Sequence, residues 1–168
     1  MTLPEPDVRW AELGRLACGT LAPLFAAIEH VGSTAVPGLP ARPEIDLLAA
    51  AADLDEIDEA ALATLGYRNR LEREPDELRY RREDYDSTAY LLHIVPASTW
   101  ADRPERLLRD LLRADPAARE RYATRKKELM ARFGPGQAYT DGKTVLIAAL
   151  TTSARAGRDL PPSPVRGE

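Results

Sequence analysis

The chain has 168 residues with 44% hydrophobic and 30% charged content, an ordinary balance for one globular domain with a real core. A net charge of −4 argues against a broad nucleic-acid-binding surface, which calls for a basic face. No apolar run approaches the about 20 residues that span a bilayer, Met1 to Arg9 shows no basic-then-apolar secretion pattern, and Cys18 is the only cysteine, so neither a membrane, a disulfide nor a Cys-based zinc cluster is expected, and the expected location is cytoplasmic.

Trp10 to Leu24 carries apolar residues at spacings of three and four, an amphipathic helix weakened by Gly14 and Gly19. Phe25 to Val31 reads as a short strand, Gly32 to Pro43 as a loop and Glu44 to Ala51 as an inner strand. Asp53 or Asp55 is placed to cap a helix running to Leu65, stopped by Gly66. Tyr67–Glu72 and Glu77–Glu83 flank the turn signal Pro75-Asp76 and read as a hairpin, and Ala89 to Val95 as a further strand ended by Pro96. Helices follow at Ala101–Ala114, Pro116–Phe133 and Gln137–Thr152, the second opened by Asp115-Pro116 and closed by Gly134-Pro135-Gly136. Residues 153–168, rich in Pro and Gly, read as a disordered tail, so the domain is expected to span 1–152. The order predicts an α+β domain: a mixed or antiparallel sheet of about five strands, an N-terminal helix, one helix after the second strand and a C-terminal helical cluster. The Arg- and Lys-rich stretch from Arg103 to Lys127 reads as solvated helix faces.

One segment carries chemistry. In His30-Val31-Gly32-Ser33-Thr34-Ala35-Val36-Pro37-Gly38-Leu39-Pro40-Ala41-Arg42-Pro43-Glu44-Ile45-Asp46-Leu47-Leu48, glycine lets a ligand approach the backbone, while backbone N–H groups and the Ser33 and Thr34 hydroxyls offer an anion-accepting concavity. Asp46 interrupts an apolar strand, where a carboxylate is costly unless it is paired or bound to a cation. A divalent ion at Asp46 would sit beside phosphates held at Gly32 and Ser33. The plainer alternative is a simple turn and a salt-bridged strand end.

This segment resembles the signature of the GrpB family, in which a Gly-Ser-Thr-x-Val-Pro-Gly-Leu loop leads to an Ile-Asp strand. The similarity continues through Leu65-Gly66-Tyr67, Leu92-His93-Ile94-Val95-Pro96, Tyr122 to Lys127 and Tyr139-Thr140-Asp141-Gly142-Lys143-Thr144, from about Asp7 to Leu150. The resemblance implies a nucleotidyltransferase-like fold and a nucleotide or other phosphorylated ligand, with Mg²⁺ or Mn²⁺. It also implies a link to dephospho-CoA kinase, to which some members are fused. One departure stands out. Active nucleotidyltransferases carry Asp-x-Asp on this strand, and the second position here is Leu48. Glu44 shares the face of Asp46 and is the substitute to test, and a later strand offers His93 in place of a carboxylate.

The expected site therefore has Asp46 and His93 as catalytic groups. Gly32, Ser33, Thr34, Arg42 and Lys143 form the phosphate cradle, and Asp46, Glu44 and His30 are the metal ligands. Arg42, Lys143 and, more weakly, Lys126 equally read as surface cations, and Tyr122 and Tyr139 as core residues. Three functions stay open: nucleotidyl transfer, a catalytically inactive interaction or folding-assistance module, and a metal-dependent hydrolase built on His30, Asp46 and His93.

Overall fold

The computed structural model describes residues 2–70 and 74–158. Strands β1 (Ala27–Val31), β2 (Glu44–Ala51), β3 (Arg68–Asn69), β4 (Leu78–Glu83) and β5 (Ala89–Pro96) form one mixed sheet in the order β1-β2-β5-β4-β3. β2 and β5 run parallel; the other pairings are antiparallel. The helices are α1 (Arg9–Leu21), α2 (Glu59–Thr64), α3 (Pro104–Ala114), α4 (Pro116–Phe133) and α5 (Gln137–Ala156). Among them, none is long and apolar enough to cross a membrane.

Side-chain alternation divides β2 between two layers. Ile45, Leu47, Ala49 and Ala51 join Leu92 and Ile94 of β5 in the main core, under Trp10, Ala17 and Leu21 of α1 and Leu62 of α2. Asp46 and Leu48 point the other way, where Leu48 packs with Val31 and Val95. The C-terminal helices cover this second face and the Gly32–Pro43 loop: Val36 and Leu39 pack with Leu112, Ala118, Tyr122 and Leu150.

The element order matches the sequence expectation, with local differences. The helix expected from Asp53 to Leu65 is split. Asp53 caps a 3₁₀ turn at Leu54–Glu56, Ile57 is extended, and Asp58 caps α2 by accepting from the Ala61 N–H. The Tyr67–Glu72 strand shortens to Arg68–Asn69, still antiparallel to β4; residues 71–73 lie outside those described. α3 begins at Pro104, because the residue before a proline is held extended, as Arg103 is. α5 runs past Thr152 to Ala156: buried Arg155 donates to the Asp102 carbonyl and docks the last turn. Of the expected tail, residues 159–168 lie outside those described.

Contrary to the expectation from its charge, the basic stretch is not solvated throughout. Arg103, Arg109 and Lys126 are buried. Glu29 on β1 accepts from Arg106 and Arg109, Arg109 also donates to the His30 carbonyl, and Arg113 donates to the Ala35 carbonyl. Arg106, Arg109 and Arg113 thus tie one face of α3 to β1 and its loop, Arg113 through its Nε alone.

Gly14 has a specific packing reason. A Cβ there would overlap the His30 ring, which lies against α1. Gly14→Ala should therefore destabilise the protein. Overpacking of about 1–3 kcal/mol outweighs the roughly 1 kcal/mol that alanine adds to a helix, for a loss of a few degrees in Tm. Made in a His30→Ala background, the same change should raise Tm, which thermal unfolding of the four proteins will read.

Candidate functional site

The Gly32 backbone takes φ +77°, and a Cβ at that position would run into the Asp46 carboxylate. The loop main chain therefore lies directly on the acid, an approach only glycine allows. Ser33–Ala35 then form a 3₁₀ turn. Lys126 reaches this turn from α4. Its Nζ donates to Ser33 Oγ and to the Pro40 carbonyl, each at 2.8 Å, and the residue is 2% exposed. Burial, then the positive charges of Lys143 and Arg42, push its pKa down to about 7, partly offset by Asp46 and Glu44. Lys143, on α5, is also pushed down by burial, and its ammonium lies 5.3 Å from the Tyr139 ring centroid. Ser33, Arg42, Glu44, Asp46, Lys126 and Lys143 line one narrow cleft of about 40 Å³. That holds a few waters or an ion.

Beside the cleft runs a carboxylate–histidine–carboxylate chain. His93 Nε2 stands 3.7 Å from Asp46 Oδ1, an ion-pair distance, and its Nδ1 donates to Glu77 Oε1 at 2.7 Å. Glu77 is 1% exposed and also accepts from Arg79 Nε and Arg103 Nη2, each at 2.9 Å. Burial alone would raise its carboxyl; the hydrogen bonds from His93 and Arg79 outweigh that and hold it well below the usual range. Burial likewise opposes charge on His93, but the two carboxylates prevail and raise its pKa to about 9. At neutral pH His93 is an imidazolium. In that state it offers no lone pair to a metal and cannot take up a proton as a general base.

The structure thus brings Gly32, Ser33, Arg42, Glu44, Asp46, His93 and Lys143 to one side of the sheet. It sends His30 to the other. His30 is opposite Leu47, on the face that packs against α1, and its Nε2–H donates to Thr34 Oγ1 at 2.9 Å. Thr34 Oγ1 in turn donates to the Glu44 carbonyl, so both groups are spent on holding the loop. Strand alternation therefore separates His30 from Asp46, and a His30–Asp46–His93 ligand set does not form. Glu44 is engaged by Arg42 at 3.0 Å, and Leu48 is fully buried. Among the described residues, no group of three or more His, Cys, Asp or Glu side chains is arranged to hold a metal ion.

Two central residues were missed or underrated by sequence reasoning. Lys126 falls on the buried stripe of α4, after Ala118 and Tyr122 and before Leu129 and Met130, so a lysine at a core position was a readable signal. Glu77 reads as the polar start of a strand. Its partner His93 comes from the neighbouring strand, and no local pattern announces the pairing. Tyr122 and Tyr139 are buried.

This arrangement of sheet, loop and helices is a nucleotidyltransferase-like fold. The GLD-2/RNP-8 complex matches with TM-score 0.54 and 16% identity over 92% of this chain and 62% of that one. Terminal uridylyl transferase 4 from Trypanosoma brucei matches with TM-score 0.51 and 13% identity over 98% and 60%. Both likenesses concern the fold. The crystal structure of the conserved protein GrpB from Enterococcus faecalis superposes with TM-score 0.79 and 24% identity, covering 93% of this chain and 98% of that one. The family model described as GrpB protein matches residues 1–153. The UPF0157 proteins BH1888 of Halalkalibacterium halodurans and SCO7215 of Streptomyces coelicolor are each 34% identical over 93% of this chain, covering 83% and 85% of their own lengths. The chain belongs to the GrpB family.

The charge states are directly testable, since the chain has two histidines. Burial pushes His30 down to about 4, while His93 stands at about 9. Imidazole NMR should show one titration near each value and none between. His93 is raised from 6.5, so its stabilisation is complete below pH 6.5 and lost as pH rises through about 9. Lys126, lowered from 10.5 to about 7, slopes oppositely: its contribution grows from pH 7 towards 10.5. Glu77→Gln should lower the His93 midpoint and cost about 3 kcal/mol, because the Glu77 charge is lost to both His93 and Arg103 and only the part-exposed Glu105 remains to answer Arg103.

Proposed function

We propose that the domain binds a nucleotide or other phosphorylated ligand, its anionic end seated at Gly32 and Ser33 between Lys126, Lys143 and Arg42. The observation that carries this reading is the Lys126–Ser33 contact: a nearly inaccessible lysine, discharged by burial and by two neighbouring cations, aimed at the loop hydroxyl. Three cationic side chains, Arg42, Lys126 and Lys143, face two carboxylates, Glu44 and Asp46, in this cleft, which leaves room for one further anionic group. The cleft is too small for a whole nucleotide, so the remainder of the ligand lies outside it.

A divalent ion fits this site in one way. Asp46, with Glu44 on the same face, supplies one or two carboxylates, which suits an Mg²⁺ or Mn²⁺ ion that arrives with its phosphate and keeps several waters. Such an ion would neutralise phosphate charge. The donor set does not fit a pair of ions, because Leu48 stands where the second carboxylate would be. In nucleotidyl transfer, Lys126 and Lys143 would hold the departing pyrophosphate, and His93 would keep the Asp46 carboxylate oriented without touching the reacting atoms.

Leu48 favours a second reading, in which the domain binds its ligand without transferring it and serves as an interaction module, with dephospho-CoA kinase as the partner to try. Metal-dependent pyrophosphate release from a nucleoside triphosphate would exclude this reading.

The test is thermal unfolding of wild type, Asp46→Asn and Lys126→Met with ATP, CTP, GTP, UTP, dUTP and CoA precursors, with and without Mg²⁺ or Mn²⁺. The uridine nucleotides come first, since the Trypanosoma brucei transferase is described with bound dUTP. A ligand at about 100 times its Kd adds about 2.7 kcal/mol, a rise of roughly 5–10 °C at this size. The shift should need the metal and vanish in both variants; a folded wild type that responds to none of them would sink the proposal. Binding at pH 8 should also take up about one proton as Lys126 is recharged by its ligand, which calorimetry in buffers of different ionisation enthalpy measures.

A further inference from the structure

A larger cavity, of about 1110 Å³, opens on the far side of the same loop. It follows the outer edge of β1, which pairs only with β2, between α1 and α3. Trp10, Ala11, Cys18 and Ile28 form an apolar wall, and at the loop end Arg113 and Arg119 line it. Thr34 lines both this cavity and the Lys126 cleft.

The charges around the cavity do not balance. Its acids are already matched: Asp7 by Arg9, and Glu29 by Arg106 and Arg109. Arg15 is matched by Glu12. Arg113 and Arg119 have no carboxylate partner among the described residues. Arg113 gives its Nε–H to the Ala35 carbonyl, and Arg119 gives Nη1 to the carbonyls of Leu112 and Arg113. These contacts fix both guanidinium groups in place and leave the Nη groups of Arg113 free to bind. Partial burial, then the charge of Arg109, push the Arg113 pKa down, against the opposing charges of Asp110 and Glu29.

We infer that this cavity is a second ligand site, distinct from the Asp46 cleft, for a small organic anion whose phosphate, sulfonate or carboxylate group pairs with Arg113 and Arg119 while its apolar body lies along Trp10, Cys18 and Ile28. The volume suits one drug-sized molecule, and a guanidinium held by its Nε presents its remaining N–H groups in the fork that oxyanions accept. Because Arg113 holds the Ala35 carbonyl and His30 holds Thr34, an occupant touches the groups that set the loop's position on its other side.

The experiment titrates the full chain with 8-anilinonaphthalene-1-sulfonate, an aromatic anion, and with N-phenyl-1-naphthylamine, its uncharged parent. Wild type should bind the sulfonate saturably and the parent at least about tenfold more weakly. Arg113→Gln/Arg119→Gln should weaken sulfonate binding about tenfold or more. Ala11→Trp, an exposed position on the cavity wall, should block it without disturbing the core. Asp46→Asn and Lys126→Met should bind as wild type does, which separates this site from the phosphate cleft. Binding that survives Ala11→Trp overturns the proposal. Binding that is blocked by Ala11→Trp but unchanged in the arginine variant overturns the anionic assignment. If the arginine variant does not fold, Ala11→Trp and the uncharged parent decide.

Discussion

The buried carboxylate of Glu77 is the constraint on which the site depends. An acid that is 1% exposed is tolerable only when its lone pairs are filled, and Glu77 fills them from three directions: Arg79 on β4, His93 on β5 and Arg103 at the entrance to α3. The interaction joins the sheet to the first C-terminal helix. With Asp46 it holds His93 charged, and so shapes the electrostatic surroundings of Asp46 itself. Taken alone, Asp46 looks like a metal-binding acid. With His93 held as a cation 3.7 Å away, its negative charge is already partly answered.

The same sheet explains why a short motif splits into two roles. His30 and Asp46 lie on adjacent strands, but the two-residue period sends one to α1 and the other to the C-terminal helices. Thr34, at the rim, connects the two sides by bonding His30 with one lone pair and the Glu44 carbonyl with its proton. The loop is therefore braced on one face of the sheet and presents Ser33 on the other.

Much of the architecture was legible because its signals are local. Asp115-Pro116 opens α4 with the expected cap, Gly66 and Gly134 take positive φ at helix ends, and the apolar run after Asp46 is an inner strand. The site was legible in part. The Gly32-Ser33 loop and Asp46 announce themselves because glycine, hydroxyls and a stranded acid are unusual in those places. Glu77, Arg103 and Arg109 do not. Each is a charged residue whose burial depends on a partner far along the chain, and composition reads such residues as solvated. Lys126 lies between these cases: its helical register marked it as a core position, while its charge suggested the surface.

The contact between Gly32 and Asp46 ties two positions into one unit of inheritance. The glycine has no side chain because the acid fills that space, and the acid keeps its orientation because the loop leans on it. A lineage that enlarged residue 32 would have to shorten residue 46 in the same step or lift the loop away from the strand. Loss of the acid would not by itself free the glycine, because its φ of +77° still suits glycine alone. Among GrpB relatives a larger residue at position 32 should therefore occur only with a smaller one at position 46 and a rebuilt loop, and such a pair would mark a branch whose loop no longer serves the same ligand.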